Sequence, residues 1–407
     1  MSEPEPPDTR HDPGAISFAC KSCGAKLAYD AGSHGMACPY CGHKEAVTAS
    51  IGGTGTVAEA IGPSQIREIP LEQGMALAQK GFGAPVTTIG CGECGATVNV
   101  GEGERTVACA FCGSKQVLSQ ETNQGAIRPE SLVPFKVTKE DANRRFGAWI
   151  GKLWFRPGDL KRMARVQEIG GVYIPFWTFD SFVRSQWRAE RGWYYYENET
   201  YAESVNGQTE TRTRQVQKTR WELASGYRQD QYDDVLVCAS KGLPGHLVDH
   251  LSTFDTKALT PYQPQFLSGW RAESYAIDLM PGWAIGQERI RTSQMARCAT
   301  DVGGDTHRML DVNNQFQNVT FKHVLLPIWI AAYRYNGKAY RFLVNGQTGE
   351  VVGVAPWSVW KILGLVMFVL AIVAAVVAYT QLYGGNGPHP TPGGAPVQHP
   401  LPHPAKR

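Results

Sequence analysis

Eight of the ten cysteines in this chain fall into two groups with the same spacing. Each group contains two CxxC pairs, and the second group repeats the first at an offset of 71 positions. Structural zinc takes four thiolates in a tetrahedron, and each CxxC turn supplies two of them. The pattern therefore predicts two structural Zn²⁺ ions, one in each group. The groups are Cys20, Cys23, Cys38 and Cys41, followed by Cys91, Cys94, Cys109 and Cys112.

The sequence around the cysteines is repeated as well. FACKSCGAKL at 18–27 corresponds to IGCGECGATV at 89–98, and ACPYCG at 37–42 corresponds to ACAFCG at 108–113. We interpret the two halves as zinc ribbons, ribbon 1 over 16–48 and ribbon 2 over 88–118. A glycine follows each CxxC pair, where a tight turn favours a residue that adopts positive φ. These glycines are Gly24, Gly42, Gly95 and Gly113.

Modules of about 30 residues are too small to build an adequate core, so metal binding should supply much of their folding free energy. His34 and His43 are alternative ligands in ribbon 1, but four well-spaced thiolates favour the all-cysteine site. Disulfides are the other possible use of these cysteines. The amino terminus has no apolar stretch typical of a secretion signal, which favours a reducing cytosol and free thiols.

Composition limits the possible functions. Hydrophobic residues make up 43% of the 407-residue chain, which is ample for a folded core. The formal net charge of +3 falls to about −1 when each Zn(Cys)4 site is counted as −2. A generally basic nucleic-acid-binding protein is therefore not indicated.

The fold prediction is α+β, with a β-rich main domain over 131–356. GVYIPFWTFDSF at 171–182 is typical of a strand, and Asn-Gly pairs at 206–207 and 336–337 predict hairpin turns. Thr138 with Asp141 imitates a capping box before a helix whose apolar face ends at Ile150. Further helices are predicted at 268–277 and 283–298, and a last group of strands from Asn318.

The remaining segments complete the predicted organisation. Residues 1–15 are Pro-rich and predicted to be disordered, and 49–87 form a linker with one short helix between Ile69 and Lys80. The tail at 383–407 is rich in Pro, Gly and His. The region 139–165 has an excess of five positive charges, which could contact anionic lipid or simply be a solvated helix face.

A second chemical signal lies near the carboxyl end. Ile362 to Tyr379 contains no charged residue, and the transmembrane helix predicted over 359–382 is long enough to span a bilayer. Lysine and arginine residues before the span exceed those just after it, which places the amino-terminal bulk in the cytoplasm. The sequence therefore predicts a single-pass protein of the plasma (inner) membrane. Aromatic residues typical of a membrane interface flank the span at Trp357, Trp360, Tyr379 and Tyr383.

The sequence shows no catalytic constellation, so we do not expect an enzyme; an enzyme with an unrecognised site is the alternative. His246 and His250 have HxxxH spacing but lack the glutamate of a metalloprotease motif. Asp249 with His250, or Asp305 with His307, would need a serine that no GxSxG motif supplies. Cys238 and Cys298 are single thiols in apolar surroundings, which favours packing over nucleophilic chemistry.

The twin CxxCGA ribbons, YIPFWTFD at 173–180, the segment 327–353 and the terminal apolar span together resemble a known bacterial family. These are membrane-anchored TFIIB-type zinc-ribbon proteins, often labelled primosomal protein N-prime, replication factor Y or superfamily II helicase. The resemblance implies membrane-stress systems and partners that are phage-shock-A-like or SPFH-domain proteins. The helicase label does not fit, because the chain has no GxxxxGK[ST] phosphate loop.

These observations predict a membrane-anchored adaptor that binds protein partners at the cytosolic face. Nucleic-acid binding through the ribbons is the alternative, and its weakness is charge. Ribbon 1 has Lys21, Lys26 and Lys44 against Asp30 and Glu45. Ribbon 2 has Arg105 and Lys115 against Glu93, Glu102 and Glu104.

Overall fold

A computed structural model describes most of the chain between Phe18 and Tyr383. The described residues are 18–47, 66–80, 88–91, 96–99, 109, 111, 117–120, 127, 129–157, 165–166, 169–205, 208–251, 253–335 and 338–383. The chain divides into two compact units. The β-rich unit comprises Met1–Lys152 with Leu160–Ala355, and the helical unit comprises Leu153–Asp159 with Pro356–Arg407.

The β-rich unit contains sixteen described strands and four described α-helices. The strands are β1 Ala28–Asp30, β2 Gly35–Ala37, β3 Lys44–Glu45, β4 Ile69–Pro70, β5 Thr88–Cys91, β6 Thr97–Asn99, β7 Val117–Gln120, β8 Ser131–Leu132, β9 Arg165–Val166, β10 Gly170–Val205, β11 Gln208–Cys238, β12 Thr260–Pro261, β13 Arg271–Glu273, β14 Thr306–Tyr335, β15 Lys338–Asn345 and β16 Val351–Gly353. The helices are α1 Leu71–Lys80, α2 Lys139–Gly151, α3 Gly245–His250 and α4 Leu279–Val302.

Three unusually long strands form the centre of the main sheet. β10 lies between β11 and β14 and is antiparallel to both, with Phe176 opposite Cys238 on one side and Val324 on the other. Apolar residues dominate the inner part of each strand, and α4 covers one face there. The predicted hairpins join β10 to β11 and β14 to β15, although their turns at 206–207 and 336–337 lie outside the described residues.

Two predicted elements differ in the structure. β14 begins at Thr306 rather than Asn318, because the polar residues of its first half lie in a sheet that is open to solvent on one face. The predicted helix at 268–277 is wrong: its central residues form β13, whose Ala272 pairs with Tyr173 on one side and Asn99 on the other. Two neighbouring strands satisfy its backbone groups, and this long-range pairing overrides local propensity.

Helices α1, α2 and α4 form where the local sequence predicts them. The hydroxyl of Thr138 accepts a hydrogen bond from the Asp141 N–H at 3.2 Å, so the predicted cap begins α2. Ala142, Phe146 and Ile150 are buried on one face of this helix. Helix α1 occupies the part of the linker in which a short helix was expected. Helix α4 contains the predicted segment 283–298 and extends it at both ends.

The helical unit is built around α5, Val359–Tyr383. Its residues Val359–Gln381 are long and apolar enough to cross a membrane, and none of this stretch is buried. A short segment from much earlier in the chain contacts the start of this helix. The Ser358 N–H donates to the Phe155 carbonyl at 2.8 Å, and the Lys361 ammonium donates to the Trp154 carbonyl at 3.1 Å.

Candidate metal centre

Ribbon 1 positions its four cysteines with two turns of the same design. In each turn the N–H of the first cysteine donates to a carbonyl five residues later, Cys20 to Ala25 at 2.7 Å and Cys38 to His43 at 2.8 Å. The glycine after the second cysteine has positive φ, 75° at Gly24 and 73° at Gly42. Gly24 and Gly42 therefore have the positive φ that was predicted from their position after each CxxC pair.

The four sulfurs of ribbon 1 lie close enough to share one metal ion. Cys20 Sγ is 3.6 Å from Cys41 Sγ, Cys23 Sγ is 3.5 Å from Cys38 Sγ, and all four lie within 4.8 Å of one another. A tetrahedral zinc with Zn–S bonds of about 2.3 Å places its ligands about 3.8 Å apart. The thiol cluster therefore fits a tetrahedral metal ion. His34 and His43 are not part of this cluster.

The thiols of ribbon 1 also shift one another's pKa values. The N–H groups of Cys41 and Tyr40 lower the pKa of Cys38 to about 6, which favours a thiolate at neutral pH. The Ala25 N–H lowers the pKa of Cys23, but the neighbouring sulfurs of Cys38 and Cys41 outweigh it and raise that pKa to about 12. Four thiolates at this separation need a cation to offset their charge.

Ribbon 2 is described in part. Cys91 and Cys109 are buried, whereas Cys94 and Cys112 lie outside the described residues, as do Gly95 and Gly113. The Cys91 N–H donates to the Ala96 carbonyl at 2.8 Å, which repeats the hydrogen bond of the first turn in ribbon 1. The described geometry thus follows the sequence duplication for this turn.

Ribbon 2 is joined to the main sheet and contributes buried residues to its core. Strand β6 pairs with β13, which in turn pairs with β10. Ala96 and Phe111 are each only 1% exposed and belong to the same apolar cluster as Leu243. A Cβ on Gly242 would lie 2.4 Å from the Ala96 Cβ, so glycine is required for this close approach.

Ribbon 1 is attached through a different surface. The Tyr29 N–H donates to the Ser268 carbonyl at 2.9 Å, and the Ser268 hydroxyl donates to the Leu27 carbonyl at 2.6 Å. The Trp270 indole N–H donates to the Tyr29 carbonyl at 2.8 Å. Because β1 and the residue before it make these contacts, the cysteine turns are left at the surface. Tyr40, inside the second turn, is 82% exposed.

The other candidate residues from the sequence do not assemble a reactive centre among the described residues. Burial raises the pKa of Cys238 to about 12 and also raises the pKa of Cys298, so both thiols stay protonated. Asp249 forms an ion pair with Arg289, and Asp305 accepts a hydrogen bond from the Tyr194 N–H. His307 is exposed on β14, and His250 is exposed at the end of α3.

One buried charge cluster was not predicted. The Lys322 ammonium lies 2.8 Å from an Asp234 oxygen, 3.2 Å from Glu68 and 3.4 Å from Asp180. Oxygens of Glu68, Asp180 and Asp233 are also close enough together to suggest a cation site. Lys322 already supplies the cation there, so we regard the cluster as structural. No sequence signal marks it, because strand pairing brings together residues that are far apart in the chain.

Comparison with known proteins identifies a distant relative. The chain is similar to YdjG of Bacillus subtilis strain 168, an uncharacterized protein, with 28% identity over 246 residues. The aligned part covers 58% of this chain and 67% of YdjG. No protein-family model matches the chain, and no solved structure matches it.

Proposed function

We propose that this protein is a membrane-anchored zinc-ribbon adaptor that binds protein partners at the cytosolic face of the plasma membrane. Four thiolates form a donor set that suits zinc, and the 3.5 and 3.6 Å sulfur separations in ribbon 1 support one such ion. The resemblance to double zinc-ribbon proteins supports a second ion in ribbon 2. Ions bound in this way would be structural, since four cysteine ligands leave no open position for substrate.

The proposed anchor is α5. The 23-residue stretch Val359–Gln381 is predominantly apolar, has no buried side chain and matches the thickness of a bilayer core. Trp357 and Trp360 are exposed at its beginning, and the guanidinium of Arg156 lies 3.9 Å above the Trp357 ring. Trp154 is also exposed, and its carbonyl accepts the hydrogen bond from Lys361. Aromatic and basic residues together are typical of the membrane interface on the cytosolic side.

The observation that carries the adaptor proposal is a difference between the duplicated ribbons. Tyr40 and Phe111 occupy equivalent positions, 71 residues apart, inside the second CxxC pair of each ribbon. Phe111 is 1% exposed and packs in the core of the β-rich unit, whereas Tyr40 is 82% exposed. The burial of Phe111 within this chain supports the proposal that Tyr40, exposed at the equivalent position of ribbon 1, packs against another protein.

A recruitment experiment tests this proposal with the full chain. A fluorescently tagged SPFH-domain or phage-shock-A-like protein from the same cells should accumulate at the membrane when the wild-type chain is present. We expect Tyr40→Ala to reduce this recruitment strongly without changing zinc content, because removing an exposed aromatic anchor weakens binding but not folding. Tyr227→Ala is the matched control, since Tyr227 is also an exposed tyrosine of the same unit.

Cys38→Ser provides a second comparison, because it should lower both zinc content and recruitment. Recruitment that survives both Tyr40→Ala and Cys38→Ser would contradict the role of ribbon 1. Loss of salt-sensitive DNA or RNA binding in the Tyr40 variant, with normal recruitment, would support the nucleic-acid alternative instead.

A further inference from the structure

The hairpin of β10 and β11 extends well beyond the rest of the main sheet. β14 pairs with β10 only as far as Thr306 opposite Gly192, whereas β10 and β11 remain paired to Val205 opposite Gln208. Residues 193–205 and 208–220 therefore form a two-stranded segment, here called the arm. At about 3.4 Å per residue the arm is roughly 44 Å long. A lone two-stranded hairpin is at best marginally stable in water, so an arm of this length suggests a further partner.

The outer edge of β10 is open along the arm in the part of the chain that the structure describes. At its base, the Tyr194 N–H points away from β11 and donates to the Asp305 carboxylate at 2.7 Å. The Asp305 N–H returns a hydrogen bond to the Gly192 carbonyl at 2.9 Å. Successive N–H groups along a strand point towards opposite edges of the strand. The N–H groups of Tyr196, Asn198 and every second residue after them therefore also point away from β11. Such an edge can accept another strand.

The two strands of the arm carry opposite charges. Over 193–205 β10 has three acidic residues and no basic ones, and over 208–220 β11 has four basic residues against one acidic residue. Most of these charges share one face, because their positions alternate with uncharged residues. On that face Lys218 Nζ lies 3.1 Å from Glu199 and 2.5 Å from Glu197, and Arg212 lies 2.9 Å from Glu203.

This segregation makes the two edges of the arm complementary to each other. A second copy that placed its β11 beside the open edge of β10 would repeat the acidic–basic pairing found inside the arm. Pairing of two β10 edges, or of two β11 edges, would instead place like charges opposite each other, which is unfavourable. We propose that the arms of neighbouring copies pair in this way, β10 with β11, to form one intermolecular antiparallel sheet.

Such pairing is heterologous, because each copy uses two different edges. Successive copies then form a closed ring or an open row rather than an isolated two-fold dimer. The pairing starts beyond Thr306, where β14 no longer occupies the β10 edge. Exposed Tyr195 and Tyr201 lie on the charged face of β10, where they can pack across the new strand pair. Assembly into one sheet would also stabilise the arm, which as an isolated two-stranded hairpin is at best marginally stable.

A charge-swapped chain tests the proposal. The swapped variant combines Glu197→Lys, Glu199→Lys and Glu203→Lys with Arg212→Glu, Arg214→Glu and Lys218→Glu, so the pairs inside each arm are preserved. Full-length wild-type and swapped chains with different tags are expressed together, solubilised in detergent and recovered by one tag. We expect each chain to associate with itself, and mixed recovery to fall about tenfold because like charges then meet at every shared edge.

Three outcomes would overturn the proposal. They are a monomeric wild-type chain in detergent, mixed recovery equal to self-recovery, and mixed recovery above self-recovery, which indicates pairing of like strands. A second variant guards against misfolding and against association through α5. Replacing 196–217 by Asn-Gly shortens the arm and should abolish self-association while zinc content stays unchanged. A shortened chain that still assembles would also contradict the proposal.

Discussion

At the residue scale, the least expected feature is the buried ammonium of Lys322. Its side chain and that of Asp180 are each 7% exposed, and Asp234 and Glu68 complete the charge cluster. Burial alone lowers the pKa of Lys322, but the surrounding carboxylates outweigh it and hold that pKa above its ordinary value. Burial raises the pKa of Asp180. Each charge in the cluster therefore depends on the others, which links β10, β11 and β14 to the residue that precedes β4.

Lys322→Met should destabilise the β-rich unit by about 3–5 kcal/mol, because it leaves buried carboxylate charge without the cation that balances it. When folding raises the pKa of a carboxyl group, the contribution of that group to the free energy of unfolding falls as the pH rises from its unfolded pKa towards its folded pKa. The variant should therefore be relatively more stable at pH 5 than at pH 8, as Asp180 takes up a proton. Thermal unfolding of the full chain in detergent at both pH values measures this.

Lys241→Met is the control for this prediction, since Lys241 is exposed. It should change stability little at either pH. Equal stability of the two variants would show that the Lys322 cluster is not a buried charge network.

At the element scale, close approach of α4 to the sheet sets the geometry of the β-rich unit. A Cβ on Gly282 would lie 2.6 Å from Trp177 Cδ1, and a Cβ on Gly286 would lie 2.8 Å from Phe179 Cδ2. These glycines are one helical turn apart and face β10. The indole N–H of Trp177 donates to the Ile277 carbonyl at 2.9 Å, just before α4 begins, which fixes the ring against the helix.

Gly282→Ala should destabilise the protein by about 1–3 kcal/mol, although alanine is the better helix former. The reason is that the added methyl group must displace the buried ring of Trp177. Gly147→Ala in α2 is the matched control, since nothing lies within 4 Å of a Cβ there. It should stabilise by about 0.5–1 kcal/mol. Denaturant unfolding distinguishes the two, and a Gly282 variant as stable as the Gly147 variant would contradict the close packing.

At the scale of the whole molecule, the chain combines a β-rich unit with a separate helical unit. The apolar residues of α5 have no cover within the described structure, whereas the β-rich unit has a buried core of its own. Exposed apolar surface of this extent is unfavourable in water and favourable in lipid. The two units are therefore suited to different solvents.

A chain that ends at Ala355 should remain in the soluble fraction after cell lysis and should keep its zinc. A chain that ends at Tyr383 is the control, because it lacks the Pro-rich tail but retains α5, and it should sediment with membranes and require detergent. Fractionation with metal analysis gives the result. Membrane association of the shorter chain would show that α5 is not the anchor that determines localisation.

Sequence patterns predicted features whose determinants lie close together in the chain. The CxxC pairs place two thiols on one turn, Gly24 and Gly42 have the positive φ expected of them, and Thr138 caps α2. The structure of residues 268–277 depends instead on distant parts of the chain, since β13 forms there through pairing with β10 and β6. Local sequence carries no information about which distant strands will be available as partners.

The sequence by itself determined the ligand chemistry, the duplication and the apolar span, because spacing and composition are sufficient for those. Only the tertiary structure decided that Phe111 is buried while the equivalent Tyr40 is exposed. The two ribbons have the same cysteine spacing and an aromatic residue at this position, so their difference arises from what each one packs against. In ribbon 2, Ala96 and Phe111 pack near Gly242 and in the core, whereas ribbon 1 contacts Ser268 and Trp270 through Leu27 and β1.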